Sequence, residues 1–276
     1  MVEEILAQAV DALKDCPSVE GIVLGGSRAT GTAGANSDVD IGIYYRGGLD
    51  LEALNLAAAK MDDTHREGLI CPEGGWGKWV NCGGWLKMKG MPVDLIFRSL
   101  ERVERVVEQS EQGQVGAHYQ TGHPHAYLDV MYRGELACSR VLFSKCQEFL
   151  ILKQRAENYP EALREAIGQF FLFESSFSCM FAEQNTSKGD LYYMVGHLFR
   201  SVSALNQVLF ALNRQWCLNE KKAVQRIQQF PLCPKDYESR VNLVFLQLGS
   251  DPAEATRLLR VLCDEVSALW AENLAG

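Results

Sequence analysis

Residues 25–43 read GGSRATGTAGANSDVDIGI. A Gly-Gly-Ser turn is followed by a short loop, and then by two aspartates, Asp38 and Asp40, inside an apolar run. The β-branched and aliphatic residues before the turn, and those after the first aspartate, predict two strands. The stretch therefore predicts a strand, a glycine-rich turn and a second strand that carries carboxylates.

The spacing of the two aspartates determines where their side chains lie. Residues i and i+2 of a strand share one face, so Asp38 and Asp40 project together while Val39 and Ile41 face the core. Two neighbouring carboxylates repel each other, and burying them without compensation is costly. Carboxylate oxygens are ligands that Mg²⁺ prefers, which favours a metal site over a solvated Asp-x-Asp pair.

A third carboxylate lies further along the chain. Asp94 stands between Val93 and Leu95 in another run with strand character. If that strand lies beside the first carboxylate strand, the three acids can hold two metal ions about 4 Å apart, one on the attacking hydroxyl and one on the leaving phosphates. Asp94 could also accept the proton of the attacking hydroxyl.

The turn before the acids has the features of an anion site. Gly25 and Gly26 lack side chains where backbone must approach a ligand, and Ser27 can begin a helical turn or serve as its cap. The P-loop pattern is excluded, because Thr32-Ala33 follows the glycine spacing where Lys-Ser/Thr is required. No Gly-x-Gly-x-x-Gly dinucleotide fingerprint is present in the sequence either.

These motifs carry a family resemblance. Gly26-Ser27, ten further residues, Asp38-Val39-Asp40 and the later Val93-Asp94-Leu95 resemble the nucleotidyltransferase superfamily of the DNA polymerase β type. More narrowly, the sequence is similar to nucleotidyltransferases that modify aminoglycosides and lincosamides, and to their bacterial relatives. The three-part motif covers about the first hundred residues.

The resemblance implies a role for each matched residue. Asp38, Asp40 and Asp94 would be the catalytic, metal-binding acids. Gly26 and Ser27 would hold the terminal phosphates of the nucleotide, with Arg28 beside them in the nucleotide site. A basic residue of the second half would reach the triphosphate, and the candidates are Lys188 and either Lys221 or Lys222.

Composition and charge limit the class of protein. The chain has 276 residues and a formal net charge of −8, which disfavours extended nucleic acid as a partner. None of its nine cysteines forms a Cys-x-x-Cys pair, which predicts a reducing, cytoplasmic setting. The N-terminus does not resemble a signal peptide, and no apolar run approaches the roughly 18 residues of a membrane span.

The pattern of elements changes after about Gly113. Strands and helices alternate before it, whereas helical periods dominate from about Ala126 onward. We therefore predict an α+β protein with a small mixed-sheet nucleotidyltransferase domain at 1–112 and an all-helical domain at 113–276 that closes the cleft. The predicted later helices span 141–158, 160–183, 188–213, 219–229, 234–248 and 252–272.

The predicted function is Mg²⁺-dependent transfer of a nucleoside monophosphate to a hydroxyl of a small molecule, with release of pyrophosphate. The transferred group would be AMP from ATP, or the monophosphate of another nucleoside triphosphate. One alternative is nucleotidylation of a protein partner; another is an inactive nucleotide-binding module. Transfer to an RNA end is disfavoured by the charge. Two Mg²⁺ ions and a homodimer are further expectations, the second from relatives that pair two subunits.

Several other residues allow two interpretations. His118, His123 and His125 fit no closed Zn²⁺ pattern, and a loop beside the acceptor is favoured over a metal site. Three tryptophans could stack on a ring, although core packing is favoured. Glu135 is either a general base or a surface residue. The tryptophans are Trp76, Trp79 and Trp85.

Overall fold

A computed structural model describes residues 1–34 and 37–274 of the chain. The helices of this part are α1 Val2–Leu13, α2 Gly26–Ala29, α3 Leu51–Met61, α4 Leu100–Glu111, α5 Met131–Cys138, α6 Gln147–Glu157, α7 Glu161–Glu183, α8 Leu191–Leu212, α9 Ala223–Ile227, α10 Tyr237–Gln247 and α11 Pro252–Glu272. The strands are β1 Val19–Leu24, β2 Val39–Tyr45, β3 Cys82–Met88, β4 Met91–Ser99, β5 Ala117–His118, β6 Tyr127–Leu128 and β7 Arg140–Ser144.

A five-stranded mixed sheet with the order β3-β4-β2-β1-β7 forms the centre of the N-terminal part. β2 and β4 are parallel, and the other neighbouring strands are antiparallel. The parallel pair matters most for the site, because it sets the two carboxylate strands side by side. The predicted α+β class is confirmed.

Alternation along β2 and β4 separates a core face from a functional face. Val39, Ile41 and Ile43 of β2 are fully buried and pack in one cluster with residues of α1 and α3. Because side chains of a strand alternate, Asp40 and Gly42 belong to the opposite face. β4 repeats the pattern and supplies three fully buried core residues, Val93, Leu95 and Phe97.

One end of the opposite face is covered by α6. The ring of Phe149 lies so close to Gly21 of β1 that a Cβ there would be 2.5 Å from ring atoms. The same ring lies 5.2 Å from the ring of Tyr44, which is buried. Asp40 and Asp94, on the same face of the sheet, are only half-buried.

The chain divides into two compact units. The first comprises Met1–Gln109, Gly116–Gly122 and Tyr127–Asn158, and the second comprises Ser110–Val115, His123–Ala126 and Tyr159–Gly276. The first unit thus continues beyond the predicted domain limit at 112/113. The reason is β7, which pairs with β1 and joins the segment before α6 to the sheet.

A buried arginine ties α5 to its neighbours within the first unit. Arg133 is 1% exposed and donates hydrogen bonds to the carbonyl oxygens of Arg155, Ala156 and Asn158 at the end of α6. It also donates to the carbonyl of Val107 on α4, at 3.1 Å. A guanidinium at a helix C-terminus satisfies carbonyls that lack helical partners and balances the negative end of the dipole.

The second unit is helical from α7 onward. α7 and α11 approach closely at Gly168, where a Cβ would be 2.0 Å from the indole of Trp270. α7 and α8 are joined by the buried Ser201 hydroxyl, which donates to the carbonyl oxygen of Ser175 at 2.8 Å. This packing agrees with the predicted all-helical character of the later chain.

Some predicted elements differ from the structure. Residues 141–144 were predicted to begin a helix but lie in β7, and the predicted helix at 219–229 is reduced to Ala223–Ile227. The expectation that strands end near Gly113 is therefore wrong. None of the helices in the described part of the chain is long and apolar enough to cross a bilayer.

Candidate active site

Two of the three predicted acids are cross-strand neighbours. Asp40 of β2 is paired in register with Asp94 of β4, so their side chains leave the same face of the sheet. Neighbouring strands lie about 5 Å apart, which sets the spacing of the two Cα atoms. Asp38 lies one residue before β2 and is exposed. The strand pairing that the three-acid site requires is thus present, and Asp38 lies just outside β2.

Gly26 lies directly against Asp40. Its φ is +59°, and a Cβ at this position would be 1.8 Å from Oδ2 of Asp40. The backbone N–H of Gly25 donates to the carbonyl oxygen of Asp40 at 2.8 Å, which holds the turn beside the strand. Glycine at 26 is therefore required twice, for its left-handed backbone and for the space that the carboxylate occupies.

The predicted helical turn after Gly25 is present as α2. The carbonyl of Ser27 accepts the N–H of Thr32 at 2.9 Å, and the Thr30 hydroxyl approaches the carbonyls of Gly26 and Ser27 at 3.3 Å each. These contacts turn the chain tightly after the glycines. Ser27 is placed next to the acids, and its contact with phosphate stays a prediction.

Arg28 has a role that the sequence did not reveal. Its Nε donates to the carbonyl oxygen of Asp38 at 3.0 Å, and its Nη2 donates to the carbonyl oxygen of Ser37. The guanidinium therefore holds the backbone that carries the first aspartate. Its predicted contact with the nucleotide stays a prediction.

Burial and like charges act together on Asp94. Partial burial first, and then the charges of Asp40 and Asp38, together raise its pKa to about 6. Desolvation and a nearby negative charge both disfavour the ionised carboxylate. A cation placed between the acids would relieve this repulsion.

A divalent cation requires several oxygen ligands around it. Within residues 1–34 and 37–274, no three His, Cys, Asp or Glu side chains are gathered closely enough to form a metal site as they stand. Asp40 and Asp94 nevertheless present adjacent carboxylates on one face, and hard oxygen ligands fit Mg²⁺, which completes its coordination with water and phosphate oxygens. The paired acids fit the ion, and Asp38 has to join them for a three-acid site.

A buried ion pair supports the same face further along β4. Arg98 is 3% exposed, and its Nε and Nη2 donate to the two carboxylate oxygens of Glu135 at 2.7 and 2.9 Å. Although burial alone lowers the pKa of Arg98, the charge and hydrogen bonds of Glu135, together with the neighbouring tyrosines, outweigh that effect and raise the pKa. Glu135 is thus neither a plain surface residue nor available as a general base, because it neutralises Arg98 and fixes α5 on the sheet.

The three histidines are divided between the two units. His118 belongs to the first unit and stacks on Trp79, with ring centroids 3.7 Å apart. His123 and His125 belong to the second unit, where each contacts a glutamate of that unit. The expectation that these histidines belong to a loop beside the acceptor stays a prediction.

The predicted lysines all lie in the second unit. Lys188 is in the turn before α8, and Lys221 and Lys222 are in the turn before α9. All three are exposed. Their predicted contact with triphosphate stays a prediction.

The tryptophans differ in their surroundings. Trp79 packs among His118, Tyr127 and Tyr132, which fits the favoured prediction of core packing. Trp85 is 62% exposed and contradicts that prediction.

Comparison with known proteins supplies the family. Residues 5–114 match the model of the nucleotidyltransferase domain. The N-terminal part of this protein is a nucleotidyltransferase domain. The match contains the glycine turn and all three acids, so the predicted superfamily and the predicted enzyme class are both confirmed. Enzymes of this family generally use a nucleoside triphosphate and a divalent metal ion.

Solved structures show only distant likeness to the enzyme. A nucleotidyltransferase-like protein from Exiguobacterium sibiricum is 11% identical, with a TM-score of 0.46 over 99% of this chain and 78% of that one. The CdnC:HORMA-deltaN complex of E. coli MS115-1 contains a chain that is 13% identical, with a TM-score of 0.22 over 99% of this chain and 88% of that one. Among curated proteins, no relative matches. The family assignment therefore depends on the domain match.

Sequence reasoning missed several residues that support the nucleotidyltransferase site. Gly26 was assigned to phosphate, but its contact with Asp40 depends on strand register that the sequence does not display. The clamp by Arg28 and the pair between Arg98 and Glu135 join residues 9 to 37 positions apart. One sequence signal could have indicated the buried ion pair: Arg98 is a basic residue inside the apolar β4.

Proposed function

We propose that the enzyme transfers a nucleoside monophosphate, AMP from ATP, to a hydroxyl group of a small-molecule acceptor. The observation that carries the proposal is the pairing of Asp40 with Asp94 directly beside Gly26, inside a nucleotidyltransferase domain. This arrangement brings two acids and the glycine turn together on one face of the sheet.

Asp38, Asp40 and Asp94 would hold the divalent ions, and we keep two Mg²⁺ as part of the proposal. When bound, Mg²⁺ supplies positive charge that stabilises the attacking and leaving oxygens. Gly26 and Ser27 would orient the phosphates. We also propose that phosphate is bound by Arg28, Lys188 and one of Lys221 or Lys222. A cytoplasmic location is part of the proposal as well.

The reaction balances as an in-line displacement. The acceptor oxygen forms a bond to the α-phosphorus while the bond from that phosphorus to the bridging oxygen of the β-phosphate breaks, and pyrophosphate leaves with the electron pair. Asp94 accepts the hydroxyl proton and passes it to water. The carboxyl is ionised near neutral pH, because its pKa is about 6 without a metal ion and a bound cation would lower that pKa, so it can accept a proton.

The proposal is tested with α-phosphate-labelled ATP, MgCl₂ and a panel of hydroxyl-bearing small molecules. We expect label in an acceptor, release of pyrophosphate, and loss of both on addition of EDTA. Asp38→Ala should lose transfer while its melting temperature stays within a few degrees, and the exposed Asp15→Asn should behave as wild type.

Each other outcome has a defined meaning. Full transfer by Asp38→Ala would contradict the site assignment. Wild-type protein that binds none of the four nucleoside triphosphates in calorimetry would contradict the proposed function itself. Label found on a protein instead of a small molecule would favour the alternative acceptor class.

A further inference from the structure

One row of cross-strand neighbours runs across the functional face of the sheet. Asp40 pairs with Asp94, and Asp94 pairs on its other side with Trp85 of β3. Gly26 lies against Asp40 at the opposite end of the row. Directly paired residues project to the same face, so the row runs from the glycine turn through the two acids to an indole.

Trp85 is exposed although its surroundings hold it in place. Its backbone carbonyl accepts a hydrogen bond from Nη2 of Arg66 at 3.2 Å, and that guanidinium is itself fixed by the buried Asp62 at 2.6 and 3.1 Å. The indole of Trp76 stacks on the Trp85 ring with centroids 4.8 Å apart and planes at 24°. Trp85 nevertheless remains 62% exposed.

The stacking partner is also fixed. A Cβ at Gly83 would lie 2.2 Å from the ring of Trp76, so the glycine leaves the space in which that ring rests on the sheet. The backbone N–H of Trp76 donates to the backbone carbonyl of Asn81 at 2.8 Å, and the backbone carbonyl of Trp76 accepts a hydrogen bond from Gln120 Nε2 at 2.8 Å. Trp76 therefore forms a firm support that covers one face of Trp85.

The direction of the reaction decides what an exposed indole at this place can bind. In an in-line displacement the attacking and leaving oxygens are on opposite sides of the α-phosphorus. The leaving phosphates belong to the Gly26 end of the row, so the attacking hydroxyl comes from the Asp94 end. Trp85 lies beyond Asp94 on that side.

We infer that Trp85, supported by Trp76, is the platform on which the acceptor stacks, and that the acceptor carries its hydroxyl on or beside a ring with an apolar face. This inference rests on the proposed function and specifies its acceptor class. Sugar, cyclitol and aromatic rings share the required chemistry, whereas open-chain alcohols lack it. Trp85 thereby becomes a specificity-determining residue for the transfer.

The test compares variants in label transfer from ATP to matched alcohols. The ring probes are methyl glucoside, myo-inositol and benzyl alcohol, and the open-chain probe is sorbitol. We expect Trp85→Ala to reduce kcat/KM for the preferred ring probe by roughly tenfold, mainly through KM, because stacking on an aromatic side chain contributes an effect of that order. Trp85→Phe should recover most of the loss, since it retains a ring.

Nucleotide binding is measured in parallel. Calorimetry with Mg²⁺ and a non-hydrolysable ATP analogue should give the same Kd within twofold for wild type and Trp85→Ala. The control is Leu56→Ala, which shortens a 59% exposed apolar side chain on α3 of the same unit and should change neither measurement.

The possible failures can be told apart. Unchanged ring-probe kinetics in Trp85→Ala, or wild-type protein that prefers sorbitol, would overturn the inference and leave the proposed function intact. A tenfold loss of nucleotide affinity in Trp85→Ala would assign the indole to the nucleobase and also overturn it. Wild-type protein that binds no nucleotide would overturn the proposed function, and the inference with it.

Discussion

Asp62 and Asp94 lie on neighbouring elements of the first unit, yet their surroundings differ in kind. Asp62 is fully buried at the end of α3 and accepts hydrogen bonds from the Arg66 guanidinium, the Thr64 hydroxyl and the N–H of Lys87. These donors, the arginine foremost, lower the pKa of Asp62. Asp94 is half-buried beside another acid, and burial and charge raise its pKa to about 6.

The difference distinguishes a structural carboxylate from a functional one. The donors around Asp62 compensate its desolvation, so the ionised form stabilises the fold. The ionised form of Asp94 is instead opposed by its surroundings, and an external cation can remove that opposition. The four predictions that follow test this contrast, from the largest expected effect to the smallest.

The largest effect is expected on catalysis at Asp40. Asp40→Asn retains the shape of the side chain but removes the charge that would hold a divalent ion between the two strands. Transfer should fall by roughly a thousandfold, by analogy with the loss of a preorganised charge-stabilising group. The protein should still fold, because the substituted side chain keeps the size and shape of the original.

The rate is measured with labelled ATP and the folding by circular dichroism. Asp15→Asn makes the same change of charge at an exposed site and should retain full activity. An Asp40→Asn protein with more than a tenth of wild-type activity would contradict the assignment.

The second effect concerns stability at Asp62. Asp62→Ala leaves the Lys87 N–H without its partner and releases Arg66, so the free energy of unfolding should decrease by about 2–3 kcal/mol. Urea titration of the metal-free protein measures the change. The exposed Glu52→Ala of the same helix should change stability by less than about 0.5 kcal/mol. Equal effects of the two substitutions would show that the Asp62 network contributes little.

The third effect separates backbone strain from a direct clash at Gly26. Gly26→Ala introduces a Cβ 1.8 Å from the Asp40 carboxylate at a φ of +59°, so Asp40 must move. Gly31→Ala is the matched control, because Gly31 has a φ of +71° and nothing within 4 Å of its Cβ position. Both variants should lose about 1–2 kcal/mol of stability from strain.

Only Gly26→Ala is expected to lose affinity for Mg²⁺ and nucleotide. Calorimetry with the non-hydrolysable ATP analogue measures this affinity for both variants. Equal affinity would mean that the position of Asp40 is not critical for binding.

The smallest effect is the pH dependence of stability at Asp94. Its pKa in the folded protein is about 6, above the ordinary value of 3.8, so its stabilising contribution is complete below about pH 4 and is lost as pH rises through 6. Asp94→Asn avoids the loss. Without metal, its melting temperature should exceed that of wild type by a difference that grows from pH 4 to 6 and then stays constant, on the order of a few degrees.

Thermal melts across this pH range measure the difference between the two proteins. The same difference for Asp15→Asn should stay flat. A constant or declining difference for Asp94→Asn would show that the carboxyl is not opposed by its surroundings.

How much could be predicted from the sequence depends on the range of each interaction. Asp38, Asp40 and Asp94 were identified because short apolar runs around each acid reveal the strand and its faces locally. The parallel pairing of β2 with β4 was stated only as a condition, and the structure supplied it. The same limit explains β7, whose run of apolar residues fits a helix equally well and becomes a strand through pairing with β1, more than a hundred residues earlier.

The contacts of individual side chains could not be predicted from local sequence patterns. Nothing in the local sequence marks Asp62, at the end of a helix, as a buried residue. Its burial depends on hydrogen-bond donors from the segment that follows the helix and from β3. We expected Trp85 in the core because tryptophan is large and apolar. However, β3 is one of the two edge strands, and the alternation of side chains along it places Trp85 on the exposed face. Burial at such positions follows from the assembled sheet.

The most direct test of the contrast is an NMR titration of the Asp94 side-chain carboxyl. Its carbon resonance would be assigned by comparison with Asp94→Asn, and the titration would be run without divalent ions and then with MgCl₂. We predict a midpoint near pH 6 in the metal-free protein, which moves to lower pH when Mg²⁺ is present. A midpoint near the ordinary value of 3.8, unchanged by Mg²⁺, would contradict the account.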